Sequence, residues 1–521
     1  MDVNRDNFYD VLPQVLRDIN EADYVAIDGE FSGILSFDKM NYFDTPAERY
    51  KRHYECDRHY MMVQAGLAMI RCTNHEENRY TLKAYNFYLF PENESDAFDF
   101  RSKTSSLQFL AANRFDFAQL FLKGIPFVCK TTYLEKLRTQ PHSLSRRNNR
   151  QMVNGNTNEK KLDAMNSPKP SEIENMSDAE LLSKSMTGFS EVIWKLQESG
   201  KPVIGHNLHM DILHIINQFF TPIPASYEDY KSIVRSLFPK LVDTKTIASS
   251  SIFQNIISNT ALNAVYKTIR EPSFPQCRFE TPENFKYGTG EHEHTAGYDA
   301  MCTAVCMVKM MAFIAEKTEF KQNPVEHTLI SKFTGKLFYM RSFDLKYSDL
   351  LNDDDLPDRS CVFYVTHPES CSTGNIKEFF SQWNLLSYDR FDTKTHIIGV
   401  SLKKDTVETM LTKMRTNDKN FVITPYAEFH SLDTSKIKIK ELDHLLDVDP
   451  ENRRSNKRPY VDRDATEPTP ETPVISLEVT SDIIQKSSPA TRSPTIEQLI
   501  EQKQKATGAK KPKLFDYDDE W

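Results

Sequence analysis

Apolar runs of strand length alternate with amphipathic stretches of helix length through the first third of the chain. The runs YVAIDGEF, MMVQAGLAMI and YNFYLF predict strands, and NFYDVLPQVLRDIN predicts a helix before the first of them. Further along, KPVIGHN predicts a buried strand, and LHMDILHIINQFF predicts a helix because its isoleucines recur three and four residues apart. Another helix is predicted from about Gly297 to Lys317. This alternation indicates α/β structure with a mixed sheet.

Residues 336–440 show a second, shorter pattern. It consists of a strand (CVFYVTH), a helix (NIKEFFSQW), two strands (LLSYDRF and HIIGVSL), a helix (VETMLTKMRT) and a strand (FVITPYAEF). The order βαββαβ is that of a ferredoxin-like or RNA-recognition-motif domain. The sequence therefore predicts a second, C-terminal domain of this kind.

Two polar segments interrupt or follow these domains. Residues 139–179 are rich in Ser, Asn, Lys and Pro, and predict a flexible linker that splits the first domain into residues 1–138 and 180–335. Residues 441–521 are rich in Pro, Thr, Ser, Lys and Glu, and predict a disordered tail.

Composition and charge exclude several classes of protein. A net charge of -9 over 521 residues argues against binding nucleic acid through overall charge, so any RNA site must be local. The 8 cysteines form no C-x-x-C pair, which favours a reducing compartment. The start has no signal-peptide features, and the best apolar stretch, from Ala304 to Ala315, is interrupted by Lys309 and shorter than the roughly 18 residues of a membrane span. We therefore expect an intracellular protein with no membrane span.

Two acidic residues stand close together in an apolar strand. Asp28 and Glu30 lie two residues apart in YVAIDGEF, so both carboxylates project from the same face. Burying two like charges costs several kcal/mol unless a cation or protons compensate them, and carboxylate oxygens suit Mg²⁺ or Mn²⁺. Taken alone, such a pair is more often the solvated end of a strand.

Three further residues change that balance. Asp211 lies early in the predicted helix that follows a buried strand, and His294 lies five residues before Asp299 in HTAGYDA. The ordered set DGE, GHNLHMD and HTAGYD resembles the three motifs of the DEDD exonucleases, in the subclass whose third motif is H-x4-D. In that chemistry two Mg²⁺ ions, or Mn²⁺ in their place, clamp the scissile phosphate, while the carboxylates hold the ions and the histidine takes a proton.

Longer phrases extend the resemblance over residues 1 to about 440. The chain resembles the poly(A)-specific ribonuclease (PARN) family, a CAF1-type branch of the DEDD superfamily, in the phrases VAIDGEFSGI, FDTPAERY, NFYLFP, SSLQFLAANRFDFAQLFLKGIPF, VIGHN, FPKLVDTKTIAS and HTAGYDAMCTA. This resemblance implies an RNase-H-like exonuclease domain that removes nucleotides from RNA 3' ends and releases 5'-mononucleotides. It also implies a homodimer formed through the exonuclease domain.

The resemblance implies roles for single residues as well. The family's metal-binding carboxylates and its general base correspond to Asp28, Glu30, Asp211, Asp299 and His294. Motifs that flank the RNA 3' nucleotides contain the predicted RNA-binding residues Phe31, Ile34, Phe115, Asn207 and Lys245. For Ile34 and Phe115, ordinary packing is nearly as good an explanation.

Two departures from the family pattern concern RNA binding. The polar linker stands where the family inserts a helical RNA-binding domain, and in this the chain resembles the branch that trims small RNAs. In the second domain, Tyr388 takes the place of the tryptophan that stacks on the mRNA cap. If it is exposed, this tyrosine is predicted to stack on a cap or base, but more weakly than a tryptophan. Trp383 is assigned to the core by its helical context. Phe363 and Tyr364 form either a stacking platform or, as is more usual for strand aromatics, core.

The leading hypothesis is therefore a metal-dependent 3'-to-5' exoribonuclease that trims the single-stranded 3' ends of small non-coding RNA, such as piRNA precursors. Shortening of mRNA poly(A) tails is the alternative, and a catalytically inactive RNA-binding scaffold is the second alternative. A DNA exonuclease, which shares the carboxylates, is the most distant. We expect the protein in the cytoplasm, in RNA granules, or in the nucleus.

Overall fold

The structure is a computed structural model that describes most of residues 1–430. It covers residues 1–35, 39–91, 100–139, 187–287, 292–317, 328–354, 359–401 and 420–430, together with residues 357, 409, 411–413 and 416. Outside this part lie the predicted tail, the predicted linker from residue 140 onward, and half of the predicted helix VETMLTKMRT.

A mixed sheet lies at the centre of the first domain. Its strands are β1 (Asp2–Val3), β2 (Tyr24–Phe31), β3 (Met62–Asn74), β4 (Arg79–Tyr88), β5 (Val203–Gly205), β6 (Leu241–Asp243) and β7 (Arg278–Glu280). Their order is β1-β4-β3-β2-β5-β6, and β7 pairs with β4. Strand β3 runs antiparallel to β2 and β4, whereas β5 runs parallel to β2 and β6. The predicted early strands and the mixed sheet are confirmed.

Helices cover both faces of this sheet. They are α1 (Phe8–Glu21), α2 (Pro46–Cys56), α3 (Thr104–Ala112), α4 (Phe117–Lys123), α5 (Lys130–Thr139), α6 (Ser190–Ser199), α7 (His209–Ile215), α8 (Tyr227–Leu237), α9 (Thr244–Ala248), α10 (Leu262–Thr268), α11 (Ala296–Lys317) and α12 (Thr328–Ser331). Short helical turns lie at Asp57–His59, Ile216–Phe220 and Glu283–Phe285. Along β2, Val25 and Ile27 pack against α1, α6, α7 and α8, while Tyr24 and Ala26 pack against α9, α10 and α11. A strand buried on both faces reads as a continuous apolar run, as YVAI does.

The long helix α11 runs through the core of this domain. Among the described residues, it alone is long and apolar enough to cross a membrane by length and composition. The helix predicted from about Gly297 to Lys317 is confirmed, and it continues through Lys309. Of its most apolar 18 residues, 89% are buried inside the structure. Because α11 packs along the sheet, it is a core helix of this domain.

A two-stranded hairpin follows the first domain. It consists of β8 (Lys336–Phe338) and β9 (Tyr347–Asp349). The amide of Gly335 donates to the carbonyl of Leu241 at 2.8 Å, and the amide of Phe338 donates to the Asp243 carboxylate at 2.9 Å. These bonds join the hairpin to β6, so the predicted domain boundary at residue 336 comes too early.

A four-stranded antiparallel sheet forms the second domain. Its elements are β10 (Val362–Thr366), α13 (Thr373–Ser381), β11 (Leu385–Arg390), β12 (Thr395–Val400), β13 (Val422–Pro425) and α14 (Tyr426–Phe429). The strand order β11-β12-β10-β13 agrees with the RNA-recognition-like prediction, and Trp383 packs against the core as predicted. The last predicted strand is too long, because Pro425 has no amide hydrogen to extend the ladder and α14 begins after it.

Candidate active site

Two carboxylates lie on the central strand of the first sheet. Asp28 and Glu30 occupy alternate positions of β2, and their partners across the ladder to β3 are Gly66 and Gln64. Alternate positions of a strand share a face, as the sequence predicted. Since β2 has β3 on one side and β5 on the other, water reaches these groups poorly, and Glu30 is only 8% exposed.

Helix α7 supplies a third carboxylate. Asp211 is the third residue of α7, which follows β5, and β5 pairs in parallel with β2. This short connection brings the Asp211 carboxylate to β2, where the backbone amide of Gly29 donates to it. A Cβ atom on Gly29 would lie 3.1 Å from an Asp211 oxygen. The glycine between the two acids of β2 therefore gives the third acid room to approach.

The first turn of α11 supplies the fourth carboxylate, that of Asp299. Two side chains of the sheet hold this turn in place. Gln64 accepts a hydrogen bond from the amide of Ala296 at 2.9 Å, and Asn86 accepts one from the amide of Gly297 at 3.1 Å. Both amides belong to the first turn, whose N–H groups have no partner within the helix. The sheet thus fixes where Asp299 enters the site.

Sequence reasoning missed this docking of α11 on the sheet. A Cβ atom on Gly66 would lie 1.9 Å from the carbonyl oxygen of Ala296, so only glycine allows so close an approach. The available signal was the presence of Gln64 and Asn86 in otherwise apolar runs. A buried polar side chain requires a hydrogen-bond partner, and here the partner is the helix.

His294 lies two residues before the start of α11, beside Asp299. Its backbone is left-handed, with φ of 62°, and its amide donates to the Asp299 carboxylate at 2.9 Å. Its ring meets Phe109 edge to face, with 4.8 Å between the ring centres. Glu30, His294 and Asp299 each offer a ligand atom, and these atoms all lie within 4.8 Å of one another. The structure therefore gathers the predicted base and the predicted metal ligands at one place.

Burial raises the pKa of all four carboxyl groups well above the ordinary range. Neighbouring acids raise it further: the charge of Asp211 acts on Asp28, and the charge of Asp28 acts on both Glu30 and Asp299. Four such groups ionise together only when positive charge compensates them. Carboxylate oxygens are the ligands that Mg²⁺ and Mn²⁺ prefer, so this donor set fits a divalent cation.

Three of the predicted RNA-binding residues lie at the end of β2 and beyond α3. Phe31 stacks on the ring of His214, with 4.5 Å between ring centres and 28° between ring planes. Ile34 is half-buried, and its carbonyl accepts a hydrogen bond from the Lys103 ammonium at 3.3 Å. Phe115 is half-buried in an aromatic cluster beside β4. The contacts of Phe115 agree with the packing alternative.

The other two lie where α7 and α9 begin. The amides of Asn207 and Lys245 both donate to the same oxygen of Asp243, at 3.0 and 2.9 Å. The Lys245 ammonium lies 5.2 Å from the centre of the Phe338 ring. These contacts bring the two residues together beside the helix that carries Asp211.

The three aromatic residues of the second domain named above, Phe363, Tyr364 and Tyr388, are buried or half-buried. Phe363 faces α13 and is 0% exposed, while Tyr364 packs on the opposite face with Phe43 of the first domain. Tyr388 is half-buried on the α13 side of the sheet, and the Lys377 ammonium lies 4.5 Å from its ring centre. This position does not suit the predicted stacking of Tyr388 on a cap or base, because packing and Lys377 already occupy its ring.

Comparison with known proteins places these observations in a family. A model described as CAF1 family ribonuclease matches residues 3–307. The chain is 28% identical over 517 residues to poly(A)-specific ribonuclease PARN of Danio rerio, covering 82% of this chain and 77% of that protein. It is 25% identical over 444 residues to the pre-piRNA 3'-exonuclease trimmer of Bombyx mori, covering 70% and 82%. A solved structure of S. pombe Pop2p, in its Mg²⁺- and Mn²⁺-bound form, is similar with a TM-score of 0.35 and 15% identity, over 61% of this chain and 92% of that one.

Proposed function

Since the chain belongs to the CAF1 family of ribonucleases, we propose that its four clustered carboxylates hold two divalent metal ions and that it shortens RNA from the 3' end. Its class is 3'-to-5' exoribonuclease, in line with relatives named as a poly(A)-specific ribonuclease and a 3'-exonuclease trimmer. One observation carries the proposal. Asp28, Glu30, Asp211 and Asp299 converge from a strand and two helices, burial raises the pKa of each, and the charge of a neighbouring acid raises it further.

The residues of the site divide the work of hydrolysis. The four carboxylates would hold the metal ions, which would supply Lewis-acid stabilisation of the charge on the phosphate and activate the attacking water. His294 accepts the proton of the attacking water, and burial lowers its pKa, so its ring is neutral at pH 7. The water oxygen then bonds to phosphorus while the bond to the 3' oxygen breaks. The 3' oxygen takes up a proton from solvent, which leaves a 3'-hydroxyl on the shortened RNA and releases a 5'-mononucleotide. The Phe109 ring and the bond from the His294 amide to Asp299 hold this base beside the carboxylates.

The terminal nucleotide, in this proposal, lies between the two groups of predicted binding residues. The Phe31 ring, backed by His214, offers an aromatic face for the terminal base. Lys245 and Asn207, which begin α9 and precede α7, offer a cation and an amide for the backbone of the RNA. Substitution of Phe31 would then raise the KM for RNA more than it lowers kcat.

The substrate that we propose is the single-stranded 3' end of small non-coding RNA, such as a piRNA precursor. The likeness to the silkworm trimmer supports this choice, since the match covers 82% of that protein. Shortening of poly(A) tails is the second candidate, and the higher identity to the zebrafish PARN favours it. An inactive RNA-binding scaffold has less support, because all five residues of the site are in place.

Degradation of matched RNAs tests both the activity and the substrate. The purified chain would receive 5'-labelled RNAs of equal length, one ending in a mixed-sequence extension and one ending in adenosines, with Mg²⁺ or with EDTA. We expect shortening from the 3' end that requires Mg²⁺, release of 5'-mononucleotides, and faster trimming of the mixed-sequence extension. A strong preference for the adenosine tail would instead establish deadenylation.

This experiment has two control substrates. Circular RNA has no 3' end and should persist, since an exonuclease has nowhere to begin. A DNA strand of the same sequence should be degraded far more slowly. Equal loss of DNA would point to a DNA exonuclease, and persistence of every substrate with Mg²⁺ present would refute an enzymatic role.

We also propose that the protein is a homodimer and acts in the cytoplasm or in RNA granules. The exposed apolar residues of α4 support the dimer, since Phe121 is 52% exposed and Leu122 is 74% exposed. Light scattering should give twice the mass of the chain, and Leu122→Asp should give the monomer mass. Fractionation of cells tests the proposed location, and a protein confined to nuclei would contradict it.

A further inference from the structure

The carboxylate of Asp243 is bound entirely by backbone amides. The side chain is 0% exposed, and it accepts four hydrogen bonds: from Asn207 at 3.0 Å, Leu208 at 3.1 Å, Lys245 at 2.9 Å and Phe338 at 2.9 Å. Two amides bond to each oxygen, which uses about the full acceptor capacity of a carboxylate. The cap of α9 explains the bond from Lys245, but the other three bonds have no such local role.

The four donors belong to three segments that surround the carboxylate cluster. Asn207 and Leu208 immediately precede α7, and Asp211 follows within the first turn of that helix. Lys245 lies in α9, and Phe338 lies in β8 of the hairpin. One side chain therefore sets the positions of α7, α9 and β8 relative to the end of β6.

The backbone at Asn207 makes this position demanding. Its φ of 64° is left-handed, a conformation that a residue other than glycine adopts at a cost. The bond from its amide to Asp243, together with the bond from the next amide, compensates that cost. If those two bonds were lost, the turn before α7 would relax, and the Asp211 carboxylate would move with its helix.

We propose that Asp243 is a positioning residue, which holds the Asp211 carboxylate where it can share a divalent metal ion with Asp28. This inference rests on the proposed metal-dependent activity. Asp243 is not itself a metal ligand, because both of its oxygens are already bonded to amides. It acts as a hydrogen-bonded support behind a ligand, and loss of such a support typically weakens metal binding or activity by about 10- to 100-fold.

The test compares Asp243→Asn with a matched control. An asparagine keeps the size of the side chain, but its NH₂ group cannot accept, so two of the four amides lose their partner. The control is Asp18→Asn, which alters another buried carboxylate. Asp18 lies on α1 and accepts hydrogen bonds from Lys83 at 2.6 Å and Tyr85 at 2.5 Å, both of which lie on β4. Mg²⁺ affinity is measured by calorimetry, and RNA shortening is measured over a Mg²⁺ titration.

We expect Asp243→Asn to fold, to bind Mg²⁺ about tenfold more weakly, and to need about tenfold more Mg²⁺ for half-maximal activity. We expect Asp18→Asn to have a lower Tm than the wild-type protein and the same Mg²⁺ affinity. Wild-type Mg²⁺ affinity in Asp243→Asn would overturn the inference, as would equal weakening in the control.

A second variant covers the case in which Asp243→Asn does not fold. Asp243→Ser keeps an acceptor for the cap of α9 but removes the partners of Asn207 and Leu208. If neither variant folds while Asp18→Asn does, the inference is wrong, because Asp243 then serves the fold rather than the site. If the wild-type protein itself binds no Mg²⁺ and degrades no RNA, the proposed function fails instead, so the two failures are distinct.

Discussion

The carboxylate cluster beside the first sheet and the second sheet treat buried charge in opposite ways. Beside the first sheet, Asp28, Asp211 and their neighbours lie so close together that burial and like charge raise the pKa of each. Beside the second sheet, the buried guanidinium of Arg359 meets its counter-charge, with bonds to the two oxygens of Asp344 at 2.8 and 3.0 Å. The carboxylates of the first region therefore need a bound cation to compensate their charge. The buried cation of the second region is already compensated by a carboxylate of the chain.

The second sheet uses its charge and its aromatic face to hold the rest of the chain. Arg359 also donates to the carbonyl of Phe43 and to the hydroxyl of Tyr426. The amide of Tyr42 donates to Asp389 at 2.8 Å. Tyr42 and Phe43 belong to the segment between β2 and α2, so the second domain binds the part of the chain that follows the active-site strand. Part of the face on which RNA-recognition domains stack bases is here an internal contact with Phe43.

Asp28→Asn should give the largest effect, a fall in RNA hydrolysis of about a thousandfold. A metal ion stabilises the transition state by several kcal/mol, and about 1.4 kcal/mol corresponds to each tenfold change in rate. The same variant should raise the Tm of the metal-free protein at pH 7. A carboxylate whose pKa is raised by folding destabilises the native state at any pH above its unfolded pKa of about 4, and asparagine removes that penalty.

The sign of this second effect distinguishes the two kinds of buried acid. Calorimetric melting in EDTA would compare Asp28→Asn with Asp18→Asn, whose partner is the Lys83 ammonium at 2.6 Å. We expect the Tm to rise in the first variant and to fall in the second. A fall in both would mean that the cluster is compensated without a metal ion, and the contrast between the two regions would disappear.

His294→Ala should lower the rate by about a hundredfold, within the usual range for the loss of a general base. Because burial lowers the pKa of His294, the wild-type rate at saturating Mg²⁺ should remain high down to a pH below the ordinary histidine value of about 6.5, and fall only under it. The variant should lack this acidic limb. A pH profile that keeps the limb in His294→Ala would assign the proton transfer to another group.

Much of the fold and of the carboxylate set could be predicted from the sequence. The strand YVAIDGEF fixed two acids on one face through its period of two, and the spacing of HTAGYDA predicted a base and an acid at the start of a helix. Both signals are local. The structure agrees with them because short-range geometry decides where such side chains point.

What could not be predicted depends on contacts distant in sequence. Gln64 and Asn86 bind the start of α11 across more than 200 residues, and the four donors to Asp243 come from three separate segments. The surroundings of Tyr388 could not be predicted for a similar reason. Which face of β11 it occupies depends on register, and a change of one residue in register exchanges the faces.

Arg359→Met should be the most destabilising change in the second region, by about 3 kcal/mol. It leaves Asp344 without its partner and removes the donor to Phe43 and Tyr426, and breaking a buried pair costs on the order of 3–5 kcal/mol. Urea unfolding, followed by tryptophan fluorescence, would report the loss as a lower midpoint.

The matched control for this change is Arg71→Met. Arg71 pairs with Glu21 on the surface, where both side chains are 56% exposed, so its loss should cost about 1 kcal/mol or less. Equal urea midpoints of unfolding for the two variants would show that the contact of the second domain with residues 41–44 contributes little to stability.

Tyr388→Ala should have the smallest effect on activity, because its ring already packs against the core of the second sheet and under Lys377. If the tyrosine stacked on an mRNA cap, its removal would cost about 1–3 kcal/mol of binding, or at least about fivefold in the preference for capped RNA. We expect the ratio of rates on capped and uncapped RNA to stay within about twofold of the wild-type ratio, a change of about 0.4 kcal/mol. A fivefold fall in that ratio, with the Tm unchanged, would make the second sheet an RNA-binding surface. Its role would then resemble that of the first sheet, which binds a ligand, rather than that of a contact between two parts of the same chain.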